Sequence, residues 1–197
     1  KSIQKNINCC NYPNSKKKLE IINLEINNNA FKKLTSSLPS SGRIYQPARL
    51  LYPNNTWEEI KFRLRGQSIY HHDSNLPSLR LNLKNNKSIN YMNHINLTKP
   101  EDPYQISNFY SDYIFNSEDL MVQKHKLVNL IINKVNFGLY HKHHRRDENL
   151  IRANKRLPGP LFILNKDNNN QWGIDDFEIK GETKLYDNKK LIYKLVN

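Results

Sequence analysis

Cysteine and glycine are scarce in this sequence, and long apolar runs are missing. The two cysteines are neighbours, Cys9 and Cys10, and such a pair cannot build a disulfide framework or a cysteine-based metal site. With only six glycines, glycine-rich phosphate loops are scarce, and no Walker-type Gly-x-x-x-x-Gly-Lys segment occurs. No apolar stretch approaches the roughly 18 residues of a membrane-spanning helix. The sequence therefore predicts no membrane span.

Acidic residues are also scarce. Asp and Glu number 18 against 31 Lys and Arg, and the net charge is +13. A field of that sign favours anionic partners, such as a nucleotide, an acidic protein or polymer, or nucleic acid. The alternative is that lysine simply covers solvated surface. The dense basic runs, 16–18 and 141–146, are not interleaved with aromatic residues as a nucleic-acid groove would be, so no motif supports nucleic acid.

The chain is interpreted as one folded unit behind a polar leader. Residues 1–18 form the leader, and 19–197 are predicted to form a single α+β lobe dominated by antiparallel sheet. Strands are indicated by alternation: within 56–66, apolar residues alternate with lysine and arginine, which gives one buried and one solvated face. The predicted strands are 19–26, 48–52, 56–66, 78–83, 92–97, 125–132, 137–144, 161–164, 174–180 and 190–196, and the predicted helices are 29–34 and 104–116.

The clearest helix is the second one. Asp102 and Pro103 stand at its start, where an acidic residue and a proline are favoured. Its apolar residues recur at helical spacing, and this pattern predicts a buried stripe. The stripe consists of Ile106, Phe109, Tyr110, Tyr113 and Ile114.

A histidine-rich tract lies at the end of the strand predicted over 137–144. His141 and His143 face the same way on a strand and could supply half of a metal site, with His71 and His72 as conceivable partners. Lys142 and two following arginines repel a divalent cation, so we predict no metal site. We favour an anion-binding or solvated strand end, where binding tightens as the imidazoles protonate near pH 6.

The segment Arg65-Gly66-Gln67-Ser68 is a candidate phosphate site. A strand that ends in Arg-Gly with a serine close by gives a turn whose backbone can approach a phosphate, and nearby guanidinium groups can neutralise it. Arg80 and Lys84 on the following strand are further candidates. The alternative is that Gly66 only serves a turn that requires a positive φ.

These segments occur in an order that resembles the spore-coat protein H (CotH) family of atypical kinases, over roughly 19–166. No single motif is specific; the ordered series carries the resemblance. It comprises the Ala30-Phe31-x-x-Leu34 helix, Pro47-Ala48, the Trp57 strand ending in Leu64-Arg65-Gly66-x-Ser68, Ser78-Leu79-Arg80-Leu81, Ile95-Asn96-Leu97, the Asp-Pro helix of 102–116, Asn133-Lys134…Gly138-Leu139-Tyr140, and Asp147-Glu148-Asn149-Leu150.

The resemblance implies the amino-terminal lobe of an atypical protein kinase, with the Arg65–Ser68 turn over the phosphates of ATP. It implies ATP and Mg²⁺ as cofactors, a carboxy-terminal lobe that supplies the catalytic carboxylates, and a cell-surface or extracellular location. Family-motif positions are Gly138, Tyr140, His144 and Asp147.

Two departures from the family pattern matter. The family usually carries a lysine just before Ser78, where this chain has Leu76-Pro77, and a glutamate where this chain has His144. The carboxylate pair Asp175-Asp176 stands too early to be the family's metal motif and is interpreted as a solvated turn. Three functions therefore remain open. They are a CotH-type kinase fragment or degenerate relative that binds nucleotide, a non-catalytic basic module of cell-surface or spore-coat type, and a basic subunit of a ribonucleoprotein assembly.

Overall fold

Seven strands close into a barrel. The computed structural model describes residues 19–66, 72, 76–84, 87–100, 106–157, 159, 161–164 and 177–180. The barrel order is β1-β2-β3-β4-β5-β7-β6, and every neighbouring pair is antiparallel except β1 and β6, which are parallel. The strands are β1 (Glu20–Glu25), β2 (Gln46–Leu51), β3 (Trp57–Leu64), β4 (Leu79–Leu83), β5 (His94–Thr98), β6 (Lys126–Ile132) and β7 (Val135–His144).

Three helices and a separate strand pair accompany the barrel within the described residues. The helices are α1 (Asn28–Thr35), α2 (Ser107–Ser117) and α3 (Glu148–Ala153), and a short 3-10 turn spans Ser41–Arg43. Two further strands, β8 (Leu161–Leu164) and β9 (Phe177–Lys180), pair antiparallel with each other. α1 begins directly after β1 because the Asn27 side chain accepts a hydrogen bond from the Asn29 N–H at 2.8 Å, a favourable N-cap.

The core fills the barrel interior. Side chains alternate along each strand with a period of two, so every second residue of the barrel strands points inward. Burying one such side chain fully stabilises the fold by about 1.5–3 kcal/mol. The most deeply buried are Leu24, Leu50, Ile60, Phe62, Leu64, Leu79, Leu81, Ile95, Leu97, Val128, Leu130 and Tyr140.

The turn of the β6–β7 hairpin is tied to the backbone that follows β1. Its two turn residues, Asn133 and Lys134, have φ values of 50° and 67°, as a two-residue hairpin turn of the twist-compatible type requires. The Asn133 side chain also accepts from the Ile26 N–H at 2.8 Å and donates to the Ile26 carbonyl at 2.7 Å. Further along, Gly138 has a φ of 85° next to the register shift at Leu130, where a bulge favours glycine.

The predicted α+β class and its mainly antiparallel sheet are confirmed. The prediction of a kinase-like lobe is corrected, because β1 pairs in parallel with β6 from Glu20 to Leu24 and so closes the sheet into a barrel. The predicted leader, 1–18, and the predicted strand at 190–196 lie outside the described residues. Among the helices that are described, none is long and apolar enough to span a bilayer.

The predicted buried stripe of the second helix is wrong. α2 contains no buried residue, and two of the predicted stripe residues, Tyr110 and Tyr113, are 67% and 74% exposed. Ile106 and Ile114 are also exposed. Only Phe109 packs inward, with its ring centroid 5.4 Å from that of His141 on β7. Helical spacing of apolar residues predicts which side chains share a face, but it does not determine what covers that face.

Candidate anion-binding site

One part of the outer face of β3, β4, β5 and β7 is lined by polar side chains. The inward positions of β3, β4 and β5 are apolar, so the alternate positions of these strands carry polar side chains outward. On β7, His141 and His143 share the outward side with Thr98 and Asn96. The register places these residues in rows across the four strands. The set comprises Lys61 and Arg63 on β3 with Arg65 directly after it, Arg80 and Asn82 on β4 with Ser78 directly before it, His94, Asn96 and Thr98 on β5, and His141 and His143 on β7.

Arg63 and Arg80 lie on this face, and Arg145 follows the end of β7 close to Arg80. Arg63 and Arg80 are direct cross-strand partners, a placement in which like charges destabilise a sheet. Burial, followed by the positive charges of Arg63, Arg145 and Arg65, lowers the pKa of Arg80 to about 10. Within the described residues, Arg63, Arg80 and Arg145 form no ion pair with a carboxylate. We call these three residues the arginine cluster.

Neutral groups orient the arginines. The Arg80 Nε donates to the Asn96 side-chain oxygen at 2.9 Å, and the Asn96 amide donates to the His144 carbonyl at 3.1 Å. The Arg63 guanidinium lies 5.3 Å from the Tyr45 ring centroid, a cation–π contact. Its buried Nε has no hydrogen-bond acceptor among the described residues. An amide and an aromatic ring fix a guanidinium in place without cancelling its charge.

Beside the cluster, Arg65 is held through a relay of hydrogen bonds. Its Nη1 donates to the Thr98 hydroxyl at 3.1 Å, and that hydroxyl lies 2.9 Å from Nε2 of His143. The His143 Nδ1 lies 3.0 Å from the His144 carbonyl, which can only accept, so the ring proton sits on Nδ1 and Nε2 accepts from Thr98. Burial, with help from the Arg65 charge, lowers the pKa of His143 well below its usual range.

The structure brings some predicted phosphate-site residues together and leaves others apart. Arg65 and Arg80 both lie on the outer polar face. Gly66 has a φ of 103°, as the turn interpretation requires, and its carbonyl lies 3.1 Å from Nε2 of His72. Lys84 lies at the other end of β4, where it forms an exposed ion pair with Glu59 at 2.7 Å. Gln67 and Ser68 lie outside the described residues.

The four family-motif positions have structural roles. Gly138 occupies the β7 bulge, and Tyr140 is fully buried in the barrel core. The His144 ring lies 3.1 Å from the Gln123 carbonyl and 3.3 Å from the Asn90 carbonyl, and burial lowers its pKa. Asp147 caps α3 by accepting from the Asn149 N–H at 3.0 Å.

The histidine tract does not form a solvated strand end, so that interpretation is wrong. His141 and His143 do face the same way, but they are only 2% and 3% exposed. Their neighbour is His125, whose ring centroid lies 4.9 Å from that of His143 and whose Nδ1 lies 2.9 Å from Oδ2 of Asp112. The predicted tightening near pH 6 cannot come from His143 or His144, because the pKa of each ring is lowered.

No metal site emerges in the described part of the chain. Within it, no group of three or more histidine, cysteine, aspartate or glutamate side chains is arranged to hold a metal ion. Of the conceivable partners, His72 is engaged with Gly66, and His71 lies outside the described residues. The Asp175-Asp176 pair, which was interpreted as a solvated turn, lies outside them as well.

A different ion cluster lies inside the barrel, at one end. Lys142 is opposite Leu97 and Lys126 in register, so it shares the inner face of the sheet, and its side chain is 1% exposed. It contacts the Glu20 carboxylate, which also accepts from Lys126 at 2.7 Å. Burial alone would raise the pKa of Glu20, but the hydrogen bonds from Lys126 and Lys142 outweigh it and lower the pKa.

Sequence reasoning missed three members of the site. Arg63 was identified only as part of a solvated strand face, and Arg145 only as part of a basic tract. Asn96 carried no signal, because an amide that orients an arginine across two strands leaves no local pattern. The alternation within 56–66 and 78–83 could have located the first of these, since it places Arg63 and Arg80 on the outer side of neighbouring strands.

Comparison with protein-family models and with curated proteins found no match to this chain. The resemblance to CotH-type kinases therefore rests on the ordered motifs of the sequence and remains a prediction.

Proposed function

We propose that the outer polar face binds a phosphate-bearing anion, with the arginine cluster as its centre. The observation that carries the proposal is the direct opposition of Arg63 and Arg80, with Arg145 nearby and no described carboxylate paired to any of them. Like charges at directly opposed cross-strand positions lower the stability of a sheet. A bound anion would offset that repulsion, and the relief of the repulsion would add to the free energy of binding.

The chemistry of the cluster suits phosphate. A guanidinium group donates two parallel hydrogen bonds to the oxygens of a phosphate, and it keeps its charge when partly buried. Arg80 is already oriented by Asn96, so little rotamer entropy remains to be lost when the anion arrives. The net charge of +13 would steer anions toward the protein from a distance.

The resemblance to CotH-type kinases narrows the ligand to a nucleotide. By that resemblance the phosphates of ATP, with Mg²⁺, would lie near Arg65 and the turn that follows it. The glutamate of the family is replaced by His144, whose ring is engaged by two backbone carbonyls. We therefore propose a degenerate relative that binds nucleotide phosphates as a module, and phosphoryl transfer is no part of the proposal.

Calorimetric titration tests this function. Inorganic tripolyphosphate, ATP, and ATP with Mg²⁺ are titrated separately into the full chain. We expect at least tripolyphosphate and ATP to bind, and we expect affinity to fall about tenfold or more in Arg80→Gln and in Arg63→Gln, since each loses a charge-assisted contact of about 1.5–3 kcal/mol. Arg152→Gln is the matched control, because Arg152 is an exposed arginine paired with Glu148 on α3.

Two outcomes would contradict the proposal. One is the absence of binding by all three anions to the folded protein. The other is equal binding by the Arg80→Gln and Arg152→Gln variants, which would indicate diffuse attraction to a basic surface. In that case a long polyanion such as heparin would bind with a steep dependence on salt, and the alternative function, an acidic-polymer module, would take its place.

A further inference from the structure

A concave surface lies on another part of the barrel, between the start of α1 and the strands β1, β2 and β3. We call it the Trp57 groove, and its cavity volume is about 870 Å³. Sites for small organic ligands occupy about 300–1,000 Å³, so a ligand of one to a few rings would fit. Its lining includes Asn23, Asn28, Asn29, Arg49, Trp57 and Lys134.

The groove is electrically balanced although the protein is strongly basic. Its charged lining residues are two acids, Glu25 and Glu59, and two bases, Arg49 and Lys134. The acids are already paired: Glu25 with Arg49 at 2.8 Å, and Glu59 with Lys84 at 2.7 Å. In a chain with a net charge of +13, such a lining offers no special attraction to a phosphate. It suits a neutral, polar ligand.

Several side-chain amides in the groove are available for that ligand. Asn23, Asn28 and Asn29 line it, and their carboxamides make no hydrogen bond to the described residues. Each carboxamide presents two donors and an acceptor oxygen. The amides of Asn27 and Asn133, by contrast, are used to cap α1 and to hold the Ile26 backbone. The free amides can therefore accept from and donate to hydroxyl groups.

Trp57 gives the groove a rigid aromatic surface. Its side chain is 37% exposed, and the Arg49 guanidinium lies 5.5 Å from its ring centroid. Arg49 is in turn fixed by its ion pair with Glu25. One side of the indole is thus held in place, and the exposed remainder can contact apolar C–H groups of a ligand.

We propose that the Trp57 groove binds a neutral carbohydrate. A sugar ring combines an apolar face of C–H groups, which packs on an indole, with a rim of hydroxyls, which pair with amides. Both features are met here by Trp57 and by the asparagines of the groove. The site is separate from the arginine cluster and does not depend on the function proposed for that cluster.

A peptide would be a poorer occupant, because the groove offers little backbone to pair with. Pro47 has no N–H, and the Asn27 carbonyl accepts from Phe31 at 3.1 Å. The N–H and the carbonyl of Ile26 are both taken by the Asn133 side chain. A strand added here would find few partners for its own hydrogen bonds, so recognition by side chains is favoured.

Saturation-transfer NMR on the full chain tests the inference. The probes are three neutral tetrasaccharides, of glucose, N-acetylglucosamine and mannose, at millimolar concentration. We expect at least one to receive saturation from the protein. We expect its affinity to fall about tenfold in Trp57→Ala, which corresponds to about 1.4 kcal/mol, and to be largely kept in Trp57→Phe. The double variant Asn28→Ala/Asn29→Ala should also weaken binding.

Two control variants test whether the tetrasaccharide binds in the Trp57 groove and not elsewhere on the protein. Tyr110→Ala removes another exposed aromatic residue, on α2, and Arg80→Gln disables the arginine cluster; both should bind the tetrasaccharide as the unchanged protein does. The inference is overturned if no tetrasaccharide binds to the folded protein, or if binding survives Trp57→Ala. It is also overturned if a neutral acetylated tetrapeptide amide binds in the groove and the sugars do not.

Discussion

The protein holds cations in two different ways, inside the barrel and on its outer face. Inside, the Lys142 ammonium is almost fully buried and contacts the Glu20 carboxylate, which Lys126 shares. Outside, Arg63 and Arg80 face each other across neighbouring strands, and Arg80 is oriented by the neutral amide of Asn96. The interior charge is compensated by a carboxylate, whereas no carboxylate among the described residues pairs with the outer arginines.

This difference separates a structural role from a binding role. A buried ammonium without a partner would cost several kcal/mol, so the interior pair serves to make the burial of Lys142 tolerable. The outer arginines are only partly buried, and solvent keeps their repulsion modest. The protein can therefore keep them charged without a partner carboxylate among the described residues, and an anion can bind to that charge.

The largest effect should follow from removing the interior carboxylate. Glu20→Gln leaves the Lys142 ammonium buried beside a neutral group. We expect the free energy of unfolding to fall by about 2–4 kcal/mol, as measured by urea denaturation.

Glu25→Gln is the matched control for this change. Glu25 lies on the same strand, but its pair with Arg49 is exposed on both sides, so the loss should stay below about 1 kcal/mol. Equal losses in the free energy of unfolding for the two variants would show that the interior ion pair stabilises the fold no more than the exposed pair does. Lys142→Met sharpens the test, because it removes the buried charge and keeps much of the volume, and it should cost about 1 kcal/mol or less.

Acidification should next distinguish the two regions. His143 supports the outer face through Thr98, and burial keeps its pKa well below 6.5. Below pH 6.5, His143 binds a proton in the unfolded chain but not in the folded protein. The free energy of unfolding therefore falls with falling pH, by about 1.4 kcal/mol per pH unit for this ring. The interior Glu20, whose pKa is lowered from 4.5, adds its own loss only as pH falls below 4.5.

Thermal denaturation between pH 7.5 and pH 5 checks this prediction. The slope in that range should become shallower in His143→Gln, whose side-chain oxygen can still accept from Thr98. If the variant keeps the full slope of the unchanged protein, His143 does not contribute to the acid sensitivity.

The smallest effect is expected for the outer cluster in the absence of a ligand. Arg80→Gln removes one of two opposed charges, and cross-strand like-charge pairs cost about 0.2–1 kcal/mol. We expect the variant to be as stable as the unchanged protein, or more stable by up to about 1 kcal/mol. Added salt should raise the melting temperature of the unchanged protein by screening, and it should raise that of the variant less. A clear destabilisation by Arg80→Gln would mean that the arginine is structural.

The strands could be predicted from the sequence because their signal is local. In β3, Ile60, Phe62 and Leu64 alternate with basic residues, and this alone defines both the strand and its buried side. The closure of the barrel could not be predicted, because nothing in the sequence of β1 or of β6 indicates that the two strands pair. The exposure of α2 was missed for the same reason, since a periodic apolar pattern does not identify its partner.

The candidate site could be predicted only in part. Arg65 and Arg80 were found through an ordered motif, and the structure places both on one face. The sequence could not distinguish Lys142, which is buried and paired, from Arg145, which joins the arginine cluster, because both belong to one basic tract. Their difference arises from strand geometry: Lys142 points into the barrel, and Arg145 follows the end of β7.

The parallel pairing of β1 with β6 has a consequence for the order of events during synthesis. The partners of β1 on β6 are separated from it by about a hundred positions, as in the pair Glu20 and Val128, and the hydrogen bond between Ile26 and Asn133 spans 107. At roughly 5–20 residues per second on the ribosome, β1 must wait about 5–20 s before its closing partner emerges. During that interval one edge of β1 lies open to incorrect partners, so the nascent chain, rather than the finished barrel, is the stage at which aggregation threatens this protein.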